Sequence, residues 1–322
     1  MDYILYILLY TFNFVLFTHQ NSTQFNCLLN NQTALETEQS VHKLKPSQIK
    51  VIAALGDSIT AAAGANAKTS LGLLLENREV SWSMGGKSTL NKVVTLPNIL
   101  KKFNPKLIGF STSSSFIINS KTGFGFNAAV SGQEARHLHK QAKTLIKRLK
   151  ESKSIDFNND WKLITILIGN NDICDYCKDK ELHTPQAYIN FIQEALDLLH
   201  NELPKTFVNL VNVINVAEVE FLNFRLFCKN IHKATCPCIV KYTSNETKIQ
   251  VQNLFYQYSN YTEKLALSGR YDTRDDFTVV YQPFLRDFKL PKMDNYQVDK
   301  SYFAPDCFHF SAKSHGNFKL ST

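Results

Sequence analysis

Two short apolar runs, residues 51–55 and 163–168, constrain this chain more than anything else in it. Neither alternates polar with apolar side chains. A strand that is apolar at every position is buried on both faces, as in a parallel sheet covered by helices on each side. Each run also ends abruptly, the first in Gly56-Asp57-Ser58 and the second in Gly169-Asn170-Asn171-Asp172. Residues 207–216 and 278–281 are further strand candidates. Helical patterns lie between them. Ser58 is followed by a short helix start over 59–63, and 98–103 is stopped by Asn104-Pro105. Residues 132–150 carry Leu138, Ala142, Leu145 and Leu149 at helical spacing. Thr184-Pro185 caps a helix through Tyr188, Ile192 and Leu196, and 250–267 is the last helix expected. This alternation predicts an α/β fold with a mostly parallel sheet between two helical layers. With 322 residues the chain can bury a large core, and no linker interrupts it after residue 45, so 46–322 are expected to form one domain.

The start of the chain and its cysteines speak to compartment. Residues 3–17 are apolar except for Thr11 and Asn13, a length that suits a signal-peptide core and is short for a membrane span. Residues 1–20 are therefore read as a signal peptide, with an uncleaved anchor as the alternative, and 21–45 as a flexible polar lead-in. Asn-x-Ser/Thr sequons occur at Asn21, Asn31, Asn245 and Asn260, and the last three are the glycosylation candidates. In the secretory pathway most of the seven cysteines would be oxidised, and an odd count leaves at least one without an intramolecular partner. Cys174, Cys177, Cys236 and Cys238 also permit a zinc-site reading. Their wide separation and the C-x-C spacing of the second pair speak against it. The expected location is secreted or at the extracellular face, with no C-terminal membrane anchor.

The 36 Lys and Arg exceed the 28 Asp and Glu, a net charge of +8. Part of the excess is Lys140, Lys143, Lys147, Arg148 and Lys150, spaced as one solvated side of a helix. No basic patch interleaved with aromatics occurs, so nucleic acid is not an expected partner. Nothing marks an obligate protein partner.

In an open parallel sheet, ligands sit outside the carboxyl ends of the strands. A serine on a tight strand-to-helix turn presents its hydroxyl there, and its backbone N–H points at the oxygen of whatever it attacks. Ser58 is so placed. It needs a base, and histidine has the free pKa for that near neutrality. Asp306, three residues before His309, can hold one ring nitrogen and leave the other for the serine. Gly132, after Asn127-Ala128-Ala129-Val130-Ser131, offers a backbone N–H at a helix start, and Asn171 a side-chain amide. Each signal alone has a bland reading, such as a turn, a helix-start glycine or a surface histidine. Their order along the chain lifts the set.

That order resembles the GDSL, or SGNH, hydrolase superfamily: Gly56-Asp57-Ser58-Ile59 looks like its first block, with Ile for Leu, Gly132 fits the second, Asn171 the third, and Asp306 with His309 the last. Ser81-Trp82-Ser83-Met84-Gly85-Gly86, Cys174-Asp175-Tyr176-Cys177, Cys236-Pro237-Cys238 and Asp306-Cys307-Phe308-His309-Phe310-Ser311 look like the animal phospholipase B family. The resemblance covers residues 45–316. It implies a three-layer α/β/α domain of flavodoxin-like type, with Ser58 as nucleophile, His309 as base and Asp306 as its orienter. The oxyanion hole would be the Ser58 and Gly132 N–H groups and the Asn171 amide. The implied reaction is hydrolysis of phospholipid and lysophospholipid acyl esters through an acyl-enzyme, at a membrane surface, with no metal or cofactor. Two other readings compete: a lipid-binding protein without turnover, and an esterase of carbohydrate O-acetyl groups.

The resemblance also implies a further helix after the His309 block. This chain stops at Thr322, and loss of that helix would uncover part of a sheet face. Some relatives carry tandem domains, where this chain holds one. A local Cys174–Cys177 disulfide is expected beside Asn171, with Cys307 bonded to Cys228, Cys236 or Cys238. Residues 110–118, centred on Ser111-Thr112-Ser113-Ser114-Ser115, are a candidate mobile edge of the site.

Overall fold

The computed structural model describes residues 40–116, 123–240 and 244–316. The leader, most of the 21–45 segment, Cys27, Asn21 and Asn31 lie outside the described residues. The strands are β1 (Ile49–Gly56), β2 (Leu75–Glu76), β3 (Ser115–Phe116), β4 (Trp161–Leu167), β5 (Thr206–Val211) and β6 (Phe277–Gln282). β1, β4, β5 and β6 form one parallel sheet in the order β1-β4-β5-β6, and β2 pairs with β3 antiparallel. The helices are α1 (Ser58–Ala61), α2 (Leu96–Phe103), α3 (Leu138–Glu151), α4 (Asn170–Asp175), α5 (Pro185–Glu202), α6 (Leu226–Thr235), α7 (Pro237–Val240), α8 (Asn245–Ala266) and α9 (Ala312–His315).

The sheet is buried on both sides, as the apolar centres of β1 and β4 require. Val51, Ala53 and Leu55 of β1, with Ile164, Ile166, Val208 and Leu210, face α3, α5 and α8. Their neighbours Ile52, Ala54, Leu163 and Phe207 face the opposite way, onto Met84, Leu100 and Leu107. Strand side chains alternate between faces, so one apolar run supplies both cores. Burying each such Leu or Ile contributes about 1.5–3 kcal/mol. The chain is thus a three-layer α/β/α domain with a mostly parallel sheet.

The outer edge of β1 is covered by irregular chain. Ile52 N–H donates to Ile108 O and Ile108 N–H to Lys50 O, both at 2.9 Å. Farther along, Ala128 N–H donates to Ala54 O at 2.8 Å and Val130 N–H to Gly56 O at 3.1 Å. That pairing carries Ser131-Gly132 to the carboxyl end of β1.

Four expectations need correction. The helix expected from Gly132 begins only at Leu138, after a 3-10 turn at Ala135–His137. Gly132 lies on an exposed turn with φ +77°, because residues 131–137 must first cross from the sheet edge to the helical layer. Residues 110–116 do not edge the site: Ser111 pairs with the 84–86 segment, its hydroxyl donates to Phe124 O at 2.8 Å, and Ser115–Phe116 is β3. The strand expected over 207–216 ends at Val211. The lead-in is packed by residue 41, since Val41 is buried and its N–H donates to Asp275 O at 2.6 Å.

Candidate active site

β1 ends at Gly56, and the next residue caps α1. The Asp57 carboxylate Oδ1 accepts the Ile59 N–H at 2.9 Å. α1 is a single turn, closed by Ala62 in the left-handed region. Ser58 is therefore the first residue of a one-turn helix at the sheet edge. The peptide before it is pinned from α3: Gly56 N–H donates to Gln141 Oε1 and Gln141 Nε2–H to Gly56 O, both at 2.8 Å. Nothing in the sequence pointed to Gln141, since a buried glutamine on a helix has no motif.

Asn171 sits on the first turn of α4. Gly169 lets the chain enter it, with φ +118° and a Tyr188 ring 2.6 Å from where a Cβ would lie. The Asn171 amide donates to Gln133 O at 2.8 Å, which ties α4 to the turn after Gly132. Asp172 strengthens that tie by accepting the Ala135 N–H at 3.0 Å. Burial, with Glu134 and Asp57 nearby, pushes the Asp172 carboxyl up to about 7. Burial likewise raises Asp57 to about 6, against the opposing pull of the Ile59 N–H and the His309 charge.

The last block forms a tight turn. Ala304 N–H donates to His309 O at 2.8 Å, and Cys307 takes φ +60°. Asp306 is buried, and its Oδ1 accepts the Phe308 and His309 N–H groups at 3.0 and 3.1 Å. Its Oδ2 meets His309 Nδ1 at 2.7 Å, leaving Nε2 for another partner. Burial alone would lower the His309 pKa. The Asp306 charge and hydrogen bond, with Asp57 behind, outweigh burial and raise it. Burial would raise Asp306, yet His309 and the backbone donors hold it below the usual carboxylate range. His315, the neighbouring histidine, is pushed down to about 3 by burial and the His309 charge, so it is no base near neutrality.

A second histidine missed in the sequence supports this turn. His232 is buried on α6, with Nε2 3.2 Å from Asp306 O and 3.0 Å from Cys307 O and Nδ1 2.9 Å from the Asn223 amide. Carbonyls only accept, so Nε2–H is the donor. One turn earlier on the same face, Cys228 is bonded to Cys307. The i, i+4 pair Cys228/His232 was the one legible signal, and it needed a helix that the sequence pattern did not reveal.

Asp57, Ser58, Asn171 and His309 line one narrow cavity of about 60 Å³, walled by Val219, Leu222 and Phe310 among others. Gly132 is not in its lining and stands on the adjacent turn, three residues before Ala135 on Asp172. Thus Ser58, Asn171 and His309 are brought to one space, with Asp306 behind His309.

The cysteine expectation is corrected in part. Cys174 bonds Cys236 and Cys177 bonds Cys238, so no local Cys174–Cys177 bridge exists. Both cysteines point from the end of α4 across to the short α7 segment, with Cα separations of 4.3 and 5.4 Å. These bonds also consume all four sulfurs of the zinc reading. Cys307 does bond one of its candidates, Cys228. The loop carrying Asn171 is fixed as expected, through other partners.

With this geometry in view, comparison with known proteins is informative. The GDSL-like lipase/acylhydrolase family model matches residues 52–318. The chain belongs to that family. It is also 41% identical over 323 residues to human phospholipase B1, membrane-associated, which covers 93% of this chain and 22% of the relative. The mouse protein of the same name is 42% identical over 288 residues, covering 88% of this chain and 19% of the relative. The chain spans about a fifth of the length of these relatives. Among the described residues no helix is long and apolar enough to cross a membrane.

Proposed function

We propose that this chain is a serine ester hydrolase acting on the acyl esters of phospholipids and lysophospholipids, working outside the cell. The observation that carries the reading is the shared cavity of Ser58 and His309, with the Asp306 carboxylate 2.7 Å from the far ring nitrogen. In this scheme Ser58 Oγ attacks the ester carbonyl while His309 Nε2 takes its proton. Asp306 keeps the ring in the tautomer with hydrogen on Nδ1 and stabilises the imidazolium. Negative charge on the carbonyl oxygen is met by the Ser58 and Gly132 N–H groups and the Asn171 amide. His309 then protonates the leaving alcohol, and water enters by the same route to free the fatty acid.

Lining by Val, Leu and Phe side chains favours a hydrocarbon acyl group over a sugar. The similarity to phospholipase B1 supports a phospholipid. Three disulfides support an oxidising compartment. The sequon asparagines Asn245 and Asn260 are exposed, as glycan acceptors must be. The test compares wild type with Ser58→Ala on a short-chain ester and on phosphatidylcholine vesicles. Losses on the order of 10⁵–10⁶ in kcat are expected for Ser58→Ala. Equal turnover by the two proteins would overturn the reading.

A further inference from the structure

The catalytic cavity takes the ester group and the first carbons of an acyl chain, and is too small for a whole fatty chain. Small-molecule sites occupy roughly 300–1,000 Å³, and the space around Ser58 is about 60 Å³. Immediately beside it lies a groove of about 320 Å³. The 3-10 helix Val216–Leu222 is the wall between them. Three residues per turn place Val216, Val219 and Leu222 on one face, all buried and all lining the catalytic cavity. Ala217, Glu220 and Phe221 line the groove instead. Asn215 and Glu218, at the start of this helix, line both spaces.

The groove is mainly apolar. Ile239 and Val251 are buried beneath it, and Phe221 and Ile249 at its rim are 60% and 61% exposed. Exposed apolar side chains grouped beside a concave surface mark a ligand site, where scattered ones carry no such meaning. Of its charged members Lys248 and Glu220 pair with each other, and Glu218 stands where the groove shares its lining with the catalytic cavity.

We infer that this groove is the acyl-chain subsite, receiving the hydrocarbon tail of the ester whose carbonyl sits at Ser58. The inference rests on the esterase reading above. Each methylene buried there strengthens binding by about fourfold, so the subsite governs chain-length selectivity while Ser58, His309 and Asp306 govern the chemistry.

Ala217→Trp fills the groove, and Ile249→Glu puts a charge on its exposed rim. The readout is the ratio of kcat/KM for monomeric 4-nitrophenyl decanoate to that for 4-nitrophenyl butyrate. The ratio is expected to fall at least tenfold in Ala217→Trp and severalfold in Ile249→Glu. An unchanged ratio in both variants, or equal loss on both esters, overturns the inference. A second readout needs no turnover: fluorescence titration of Ser58→Ala protein with cis-parinaric acid. Binding weakened at least tenfold by adding Ala217→Trp supports the groove, and equal binding refutes it. If wild type hydrolyses neither ester yet parinaric acid is displaced by Ala217→Trp, the groove stands and the esterase reading falls.

Discussion

Replacing Cys228 and Cys307 together by alanine tests how the turn carrying Asp306 and His309 is held. The two cysteines are 79 residues apart. The other disulfides do not shorten this loop, because Cys236 and Cys238 are tied back to Cys174 and Cys177, upstream of Cys228. The chain-entropy relation for a loop of that length gives about 4.5 kcal/mol of destabilisation, near the top of the usual range. In a domain of this size that lowers the melting temperature by on the order of 10 °C. The lesion also reaches function, since Cys307 lies between Asp306 and His309 and takes φ +60°. His232 still grips the Asp306 and Cys307 carbonyls, so the turn loosens without being lost. We expect kcat/KM to fall by about tenfold to a hundredfold, the cost of slight misplacement of a reacting group. Scanning calorimetry and ester kinetics on the folded protein at 25 °C read both effects. A melting shift under about 2 °C with unchanged kcat/KM would refute the reasoning.

Three other perturbations follow from the same geometry. Asp306→Asn should lower plateau kcat by on the order of 10³–10⁴. His309 must be neutral to accept a proton and Asp306 raises its pKa, so wild-type kcat/KM falls as pH drops through a value above the ordinary 6.5, and in the variant that acid limb moves to lower pH. An acid limb that stays in place would contradict the assigned pair. Asn171→Ala should cost about 10²–10³ in kcat with a smaller change in KM, and a loss confined to KM would remove Asn171 from charge stabilisation. His232→Gln, which keeps a donor, should retain more kcat than His232→Ala, and the alanine variant should shift the acid limb downward as Asp306 loosens. Identical pH profiles for wild type and both variants would reduce His232 to a packing residue.

The parts of the fold that were legible share a physical cause. The central stretches of β1 and β4 are buried on both faces, so their sequences are almost wholly apolar there, and their ends are marked by residues that cannot continue a strand. Even there the boundaries shifted. β4 begins at Trp161 rather than residue 163, because Lys162 is buried and its Nζ reaches the Phe157, Asp160 and Pro204 carbonyls. A charge inside a strand reads as a boundary until its partners are seen. The strand expected over 207–216 overran β5 as far as the first residue of the 3-10 wall, because Val213, Ile214 and Val216 are buried there and prolong the apolar run. α6 and α7 were missed because Leu226 and Phe227 face outward, which spoils the apolar period, and cysteines supply the inner face. Of the candidate site residues, Ser58, Asn171, Asp306 and His309 could be named from order and local chemistry, and the fold brings them together. Gln141 and His232 could not, because each acts on backbone groups distant in sequence. Disulfide pairing was unreadable for the same reason: it depends on which segments lie side by side.

The central claim is that Ser58 is the group that attacks the ester. A fluorophosphonate probe followed by peptide mass mapping tests it directly. The account predicts a single stoichiometric adduct on the peptide holding Ser58, formed in step with loss of esterase activity and absent in His309→Ala. Full inactivation with the adduct on another residue, or unlabelled Ser58 in a protein that still turns over esters, would contradict it.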